Sequence, residues 1–294
     1  MRSKIKEYQS VLEVEGSVFS SKFDPVSGIS DFQRLVLDYY HKHGRPMEWR
    51  NTTDPYRILV SEIMLQQTQV ERVFVKYAEF LAAFPDFAAL ARAPLAEILA
   101  VWQGMGYNRR AISLQKCAQR VMQEYGGELP ADVDILSTFP GIGRATASSI
   151  CAFAFNMPVI FIETNIRRVF IHFFFPDNEI IKDTDILPLV ERSIFRKNPR
   201  CWYWALMDLG TALKKTVPNP NRRSAHYSKQ SPFEGSDRKI RGLILKHLLI
   251  ISDADERDIL EVAGGEKNRV RRIVGSLIDE GFLVVREGRY CLVR

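Results

Sequence analysis

The sequence predicts an all-α body followed by a smaller C-terminal domain of three helices and a two-stranded ribbon. Three observations carry this. Apolar residues recur at helical spacing through most of the chain up to residue 215. A glycine turn, Pro140-Gly141-Ile142-Gly143-Arg144, opens an Ala-rich run, and no strand-like alternation precedes residue 280. From Asp237 the pattern changes, ending in the short alternating segments 282–285 and 290–293. At 294 residues the chain is long enough for two or three domains with cores of their own.

Residues 1–28 show no period and are expected as a peripheral arm. Ile29, Phe32, Leu35, Val36, Tyr39 and Tyr40 mark the first helix, which ends in His41-Lys42-His43-Gly44-Arg45-Pro46. With no Cys or carboxylate beside them in sequence, His41 and His43 read as solvated helix-end residues rather than ligands. Asp54-Pro55 is an N-cap followed by proline at the first helical position, and predicts a helix from Tyr56 to about Phe74. Helical segments continue through 74–84, 86–101 and 109–125, broken at Phe84-Pro85 and Gly104-Met105-Gly106. Gly126-Gly127 and Pro130 set this block apart from the hairpin.

After Arg168 come another helix, a Pro176-Asp177 turn, and helices near 184–197 and 200–215. Residues 216–236, rich in Pro, Asn, Ser and Arg, read as a long loop or linker. Helices near 237–251, 255–263 and 267–280 with the ribbon make a winged-helix-like pattern. Its third helix carries Lys267, Arg269, Arg271 and Arg272. DNA contact, a protein-interaction role and a merely structural role all suit it.

A formal net charge of +6 favours a polyanionic partner without requiring one, because a mild cationic excess also solvates a surface. No stretch approaches ~20 uninterrupted apolar residues. The N-terminal Met1-Arg2-Ser3-Lys4-Ile5-Lys6 lacks a secretory pattern. Cys117, Cys151, Cys201 and Cys291 contain no Cys-x-x-Cys pair, which fits neither a zinc site nor an iron–sulfur cluster. A reduced, cytoplasmic setting is the expectation.

The hairpin and two carboxylates carry the chemistry. A tight glycine turn feeding a helix start presents unpaired N–H groups, a natural seat for phosphate. Helix, hairpin and helix together grip a DNA backbone without reading sequence. An ordinary turn between helices gives the same letters. Glu62 sits in an apolar helical run, where burial raises a carboxyl pKa. Glu163 follows Val159-Ile160-Phe161-Ile162 and opens a helix carrying Arg167 and Arg168, so that helix start and those cations are expected to keep it ionised. One protonated and one ionised carboxylate is the pairing that cleaves a glycosidic bond. On these residues alone, a solvent-facing helix residue for Glu62 and a simple N-cap neighbour for Glu163 are the stronger readings.

Residues 31–213 resemble the helix-hairpin-helix base-excision DNA glycosylases, and most closely the MutY-type adenine glycosylases, with endonuclease III as a cousin. Ser61-Glu-Ile-Met-Leu-Gln-Gln-Thr-Gln-Val70 resembles the family's catalytic-acid helix. Trp102-Gln-Gly-Met-Gly-Tyr107 resembles its wedge segment, Phe139-Pro-Gly-Ile-Gly-Arg-Ala-Thr-Ala147 its hairpin, and Ala205-Leu-Met-Asp-Leu-Gly210 its late helix. The likeness implies a two-lobed helical DNA glycosylase fold. One lobe comprises 29–57 and 166–218, a six-helix barrel with the hairpin spans 58–165, a basic loop 219–236, and the winged-helix-like domain 237–294.

By that likeness Glu62 protonates a purine leaving group, Glu163 takes the place of the invariant aspartate, and Asn165 helps to hold the site. Gln66, Gln67, Thr68 and Gln69 face the minor groove near the lesion, and Tyr107 stacks into the gap left by the flipped base. Gly141, Gly143, Arg144 and Thr146 meet phosphate at the hairpin, and Arg222 and Arg223 meet it from the basic loop. The two carboxylates are expected to converge beside the hairpin.

Four departures stand out. Glu163 is one methylene longer than aspartate, and a shift of about 1 Å can cost roughly a hundredfold in rate. The family's cluster cysteines fall on Lys214, Asn221, Ser224 and Gln230, so no iron–sulfur cluster is expected, and no cofactor beyond a candidate monovalent cation at the hairpin. The domain that inspects 8-oxoguanine gives way to the winged-helix-like pattern. Ala145 stands where bifunctional relatives carry a Schiff-base lysine. The expectation is a monomeric, monofunctional glycosylase on double-stranded DNA, removing adenine opposite 8-oxoguanine or guanine. A glycosylase for another mismatched or damaged base, such as a deaminated pyrimidine, and a catalytically silent DNA-binding protein are the alternatives.

Overall fold

The computed structural model describes residues 19–228 and 233–293. Of these, 19–50 and 144–228 form one compact unit, and 51–143 with 233–293 form a second. The chain thus changes unit after Arg50 and Gly143, and again between residues 228 and 233, where the sequence predicts lobe boundaries at 57/58 and 165/166.

The second unit begins with α2 (Pro55–Leu65), and the first with α1 (Ile29–His43). Asp54 caps α2 as its sequence predicts, its Oδ1 accepting from Tyr56 N at 2.8 Å. The helix ends at Leu65 and not near Phe74. Gln66–Gln69 turn the chain, with Gln67 in the left-handed region at φ 55°, and α3 (Val70–Ala83) follows. Local spacing misses this break because what stops α2 is a distant arginine, Arg110. Pro94 likewise splits the expected 86–101 helix into α4 (Phe87–Arg92) and α5 (Leu95–Trp102). On α6 (Arg109–Glu124), Gln115 and Gln119 donate to the carbonyls of Ala93 and Ala91 at 2.6 and 3.2 Å, so α4 does not end on unpaired oxygens. The short α7 (Val133–Leu136) leads into the hairpin.

The C-terminal part of this unit runs α12 (Asp237–Ile251), β1 (Asp253–Ala254), α13 (Glu256–Ala263), α14 (Lys267–Asp279), β2 (Leu283–Arg286) and β3 (Arg289–Leu292). Its antiparallel sheet has the order β1-β3-β2, with Val284 opposite Cys291 and Asp253 opposite the same cysteine on the other edge. β1 leaves no signal in the sequence because two residues cannot display a period of two. Glu280 receives Arg109 from α6 and Arg241 from α12, which ties this part to the helical block.

In the first unit, α8 (Arg144–Phe155) is buried on every side from Ala147 to Ala154. It is followed by α9 (Thr164–Phe174), α10 (Asp183–Ser193) and α11 (Pro199–Thr216). Phe32 on α1 packs edge-on against Phe174, Phe170 and Trp202, at centroid distances of 4.9, 5.4 and 5.9 Å. Emptying such a site costs about 3–5 kcal/mol. Residues 1–18 lie outside the described residues, but 19–28 are not a loose arm. Phe19 is buried, Phe23 stacks near Phe173, and Lys22 donates to His172 O at 2.7 Å. Asp208 on α11 is 1% exposed and accepts from Arg50 at 2.8 and 2.9 Å and from Arg45 at 2.7 and 2.8 Å. That network pins the 45–50 turn to α11.

Candidate active site and DNA-binding face

Glu62 belongs to the second unit and Glu163 to the first. Glu62 is half-buried on α2, between buried Ser61 and Ile63. The end of its helix is held by Arg110, a residue that no sequence motif singles out. The Arg110 Nη1 donates to the carbonyls of Ile63, Met64 and Gln66 at 3.0, 2.8 and 2.6 Å. Its Nη2 donates to Thr68 Oγ1, Met105 O and Gly106 O at 2.9, 3.2 and 3.0 Å. One guanidinium therefore joins the acid helix, the glutamine turn and the wedge loop. Burial pulls its pKa down to about 10, which leaves it charged at neutral pH. No local pattern marks it, since it simply follows Arg109 at the start of α6, and its partners are not readable from the sequence.

Tyr107 of the wedge loop is half-buried with φ 47°, and Trp102 Nε1 donates to Gly106 O at 3.1 Å beneath it. Gln66 Nε2 donates to Gly141 O at 3.2 Å, so the glutamine turn and the hairpin touch. Gln67 and Gln69 are exposed, while Thr68 directs its Oγ1 lone pair at Arg110.

In the hairpin, Leu136 and Phe139 are buried, and Arg120 on α6 lies 4.4 Å from the Phe139 centroid. Gly141 has φ 74°, and a Cβ there would fall 2.8 Å from Ser113 Cβ, so two separate reasons demand glycine. Gly143 differs: its backbone is ordinary and a Cβ would meet nothing within 4 Å. Among the described residues nothing requires that glycine. Arg144 opens α8, exposed, and Thr146 is half-buried.

Glu163 is the N-cap of α9, as its place before Thr164-Asn165 suggests. Its Oε1 accepts from Asn165 N and Ile166 N at 2.7 and 2.8 Å, while Oε2 takes only a 3.4 Å contact from Asn165 Nδ2. The expected ionising environment meets an opposing force. Burial pushes the carboxyl above its usual range, and the two N–H donors with Arg168 and Arg167 only partly offset it. Buried Arg168 anchors Asn165, donating to its Oδ1 at 2.6 Å and to Gly210 O at 2.6 Å. A Cβ on Gly210 would lie 2.5 Å from Asn165 O, which explains the glycine that ends the late-helix motif.

The positions of the family's cluster cysteines do not fit an iron–sulfur cluster. Lys214 is exposed and Ser224 is buried. Asn221 is buried with its Nδ2 donating to Thr164 O at 2.9 Å; Gln230 lies outside the described residues. Hydrogen bonds hold the loop. Ile181 N donates to Arg223 O at 2.8 Å, and Ala225 N to Ile181 O at 2.9 Å. Arg223, expected on phosphate, instead donates to the carbonyls of Phe175, Pro176, Asn178 and Ile171, closing the end of α9. Arg222 is exposed. On α14, Arg269 and Arg272 pair with Asp237 and Arg271 with Glu256, so the expected basic face is largely neutralised.

Residues 60–187 match the family described as HhH-GPD superfamily base excision DNA repair protein. The adenine DNA glycosylase of Mycobacterium tuberculosis is 30% identical over 284 residues, covering 87% of this chain and 92% of that protein. That span necessarily reaches past residue 213. The adenine DNA glycosylase of Buchnera aphidicola is 38% identical over 144 residues; this chain spans only 41% of its length. A solved thermostable thymine-DNA glycosylase has a TM-score of 0.58 at 27% identity, covering 62% of this chain and 85% of that one. No helix among the described residues is long and apolar enough to cross a membrane. These matches agree with the order of the sequence motifs, and the chain belongs to the HhH-GPD superfamily of base excision DNA repair proteins as a MutY-like glycosylase.

Proposed function

We propose that the protein is a monofunctional adenine DNA glycosylase acting on duplex DNA, with adenine opposite 8-oxoguanine or guanine as its substrate. The near full-length likeness to the Mycobacterium adenine glycosylase carries this reading. The flipped adenosine receives a proton on the purine from Glu62, which weakens the N-glycosidic bond. Glu163 stabilises the oxocarbenium-like sugar or orients the attacking water. Its Oε2 is the oxygen for this task, since Oε1 is committed to the α9 N–H groups. Asn165, fixed by Arg168, holds the carboxylate in register. Products are free adenine and an abasic site, with Ala145 in place of a Schiff-base lysine.

Gly141, Gly143 and Arg144 with Thr146 seat a phosphate, and Gly143, glycine without an internal reason, supports close approach by another molecule. Gln66, Gln67 and Gln69 face the minor groove near the lesion, and Tyr107 stacks into the space vacated by the base. A monovalent cation at the hairpin belongs to the same proposal, although Gly141 O and Pro140 O already accept from Gln66 and Cys117. The protein acts as a monomer in the cytoplasm.

The test is a panel of lesion-bearing and mismatched duplexes, treated with alkali after incubation. Cleavage confined to A-containing strands, abolished in Glu62→Gln, is expected. Cleavage of strands with mismatched pyrimidines would favour the second reading, which the thymine-DNA glycosylase likeness supports. Tight binding without cleavage would leave a silent DNA-binding protein.

A further inference from the structure

The wedge loop and the C-terminal helices share one groove within the second unit. It has a volume of about 1090 Å³ and is lined by Arg72, Gln67 and Tyr107 from the helical block and by Arg238, Lys246 and Arg272 from the C-terminal part. Tyr107 holds a left-handed backbone that non-glycine residues rarely adopt. Arg238 on α12 braces it. Its Nη1 donates to the Tyr107 hydroxyl at 2.5 Å, and its guanidinium carbon lies 5.3 Å from the ring centroid. Arg110 stands at 5.5 Å from the same ring.

The cations of this groove differ in what they are committed to. Arg109 and Arg241 are bound by Glu280, and Arg272 by Asp237. Arg72 and Lys246 are exposed, and among the described residues neither has an ion-pair partner. One comes from each side of the junction. The groove also includes Gln66, which donates to the hairpin carbonyl of Gly141, so it reaches the hairpin. A groove that offers Arg72 and Lys246 from its two sides and reaches the hairpin through Gln66 suits a phosphodiester backbone rather than an acidic peptide.

We propose that the C-terminal domain is part of the DNA-reading surface: Arg238 is a positioning residue for the Tyr107 wedge, and Arg72 and Lys246 bind the duplex backbone along the groove. This rests on the reading of Tyr107 as a wedge, and its test requires no base excision.

The full chain is titrated against fluorescein-labelled duplexes, intact or carrying one tetrahydrofuran abasic site, across a salt series. Lys246→Glu and Arg72→Ala are expected to weaken both duplexes about tenfold and to lower the salt slope by about one for each phosphate no longer neutralised. Both positions are exposed, so folding is not at stake. Arg238→Ala and Tyr107→Ala are each expected to erase most of the preference for the abasic duplex. The double variant should be no worse than Tyr107→Ala alone. Arg238→Lys keeps the charge without the fork, and should restore general affinity but not the preference. Unchanged salt slopes overturn the groove, and losses that add in the double variant overturn the brace. Failure to excise any base, with these binding effects intact, would sink the adenine reading and leave this one standing.

Discussion

Arg110 is where the fold and the proposed chemistry depend on one side chain. Replacing it with Met keeps the apolar stem and removes a fork that serves five carbonyls and one hydroxyl. Each stranded buried acceptor costs about 1–3 kcal/mol. Water can reach those nearest the exposed Gln67 and Gly106, so the net loss is about 3–5 kcal/mol if two or three stay dry. At roughly 2–4 °C per kcal/mol for a unit of this size, Tm falls by on the order of 10 °C. Arg110→Lys keeps the charge but lacks the planar fork, and should recover less than half of the loss. Calorimetry gives Tm, and single-turnover excision well below Tm reports whether the acid helix and wedge stay aligned. A Tm drop below about 2 °C in Arg110→Met, or full recovery in the Lys variant, would refute the clamp.

Glu163→Asp should keep or raise turnover, because Asp is also a favoured N-cap; a large loss would mean the site is built around the longer arm. The upward shift of Glu163 places the acid limb of excision above the ordinary carboxylate range. Glu163→Gln should abolish turnover. Because the folded carboxyl binds its proton more tightly, Glu163 favours the fold below its unfolded pKa, and that contribution fades as pH rises through the folded value. Asp208 has the opposite sign. Burial pushes it up, but Arg50 and Arg45 hold it below 3.8, so its contribution is present above that value and lost as pH falls. Asp208→Asn strands Arg50 and should cost about 3–5 kcal/mol in urea melts. Gly143→Ala should leave Tm unchanged and weaken duplex binding, whereas Gly141→Ala should lower both, by strain at φ 74° and by the Ser113 contact. Equal behaviour of the two would contradict the separate reasons given for them.

Much was legible along the chain because it depends on neighbours in sequence. Asp54-Pro55 starts a helix by satisfying N–H groups two residues away, and Glu163 caps α9 in the same way. The Pro140–Arg144 turn announces itself by glycines, and the order of the motifs points to the family. Helices near 237–251 and 267–280 and the ribbon lie within a residue or two of their observed bounds.

What tertiary structure alone decided is the assignment of the arginines. Arg110, Arg168, Arg223, Arg238 and Arg269 look alike as letters. Only the fold shows that one stops the acid helix, one fixes Asn165, one closes α9, one braces Tyr107 and one answers Asp237. A guanidinium reaches far and carries five donors, so its partner is chosen by what folding brings within hydrogen-bond distance, and no local pattern encodes that. The same holds for α2, whose spacing permits a helix to Phe74 and whose end is set by a side chain 44 residues from Gln66. Sequence determined most of the elements and the family they serve; packing determined where α2 ends and which partner each charge meets.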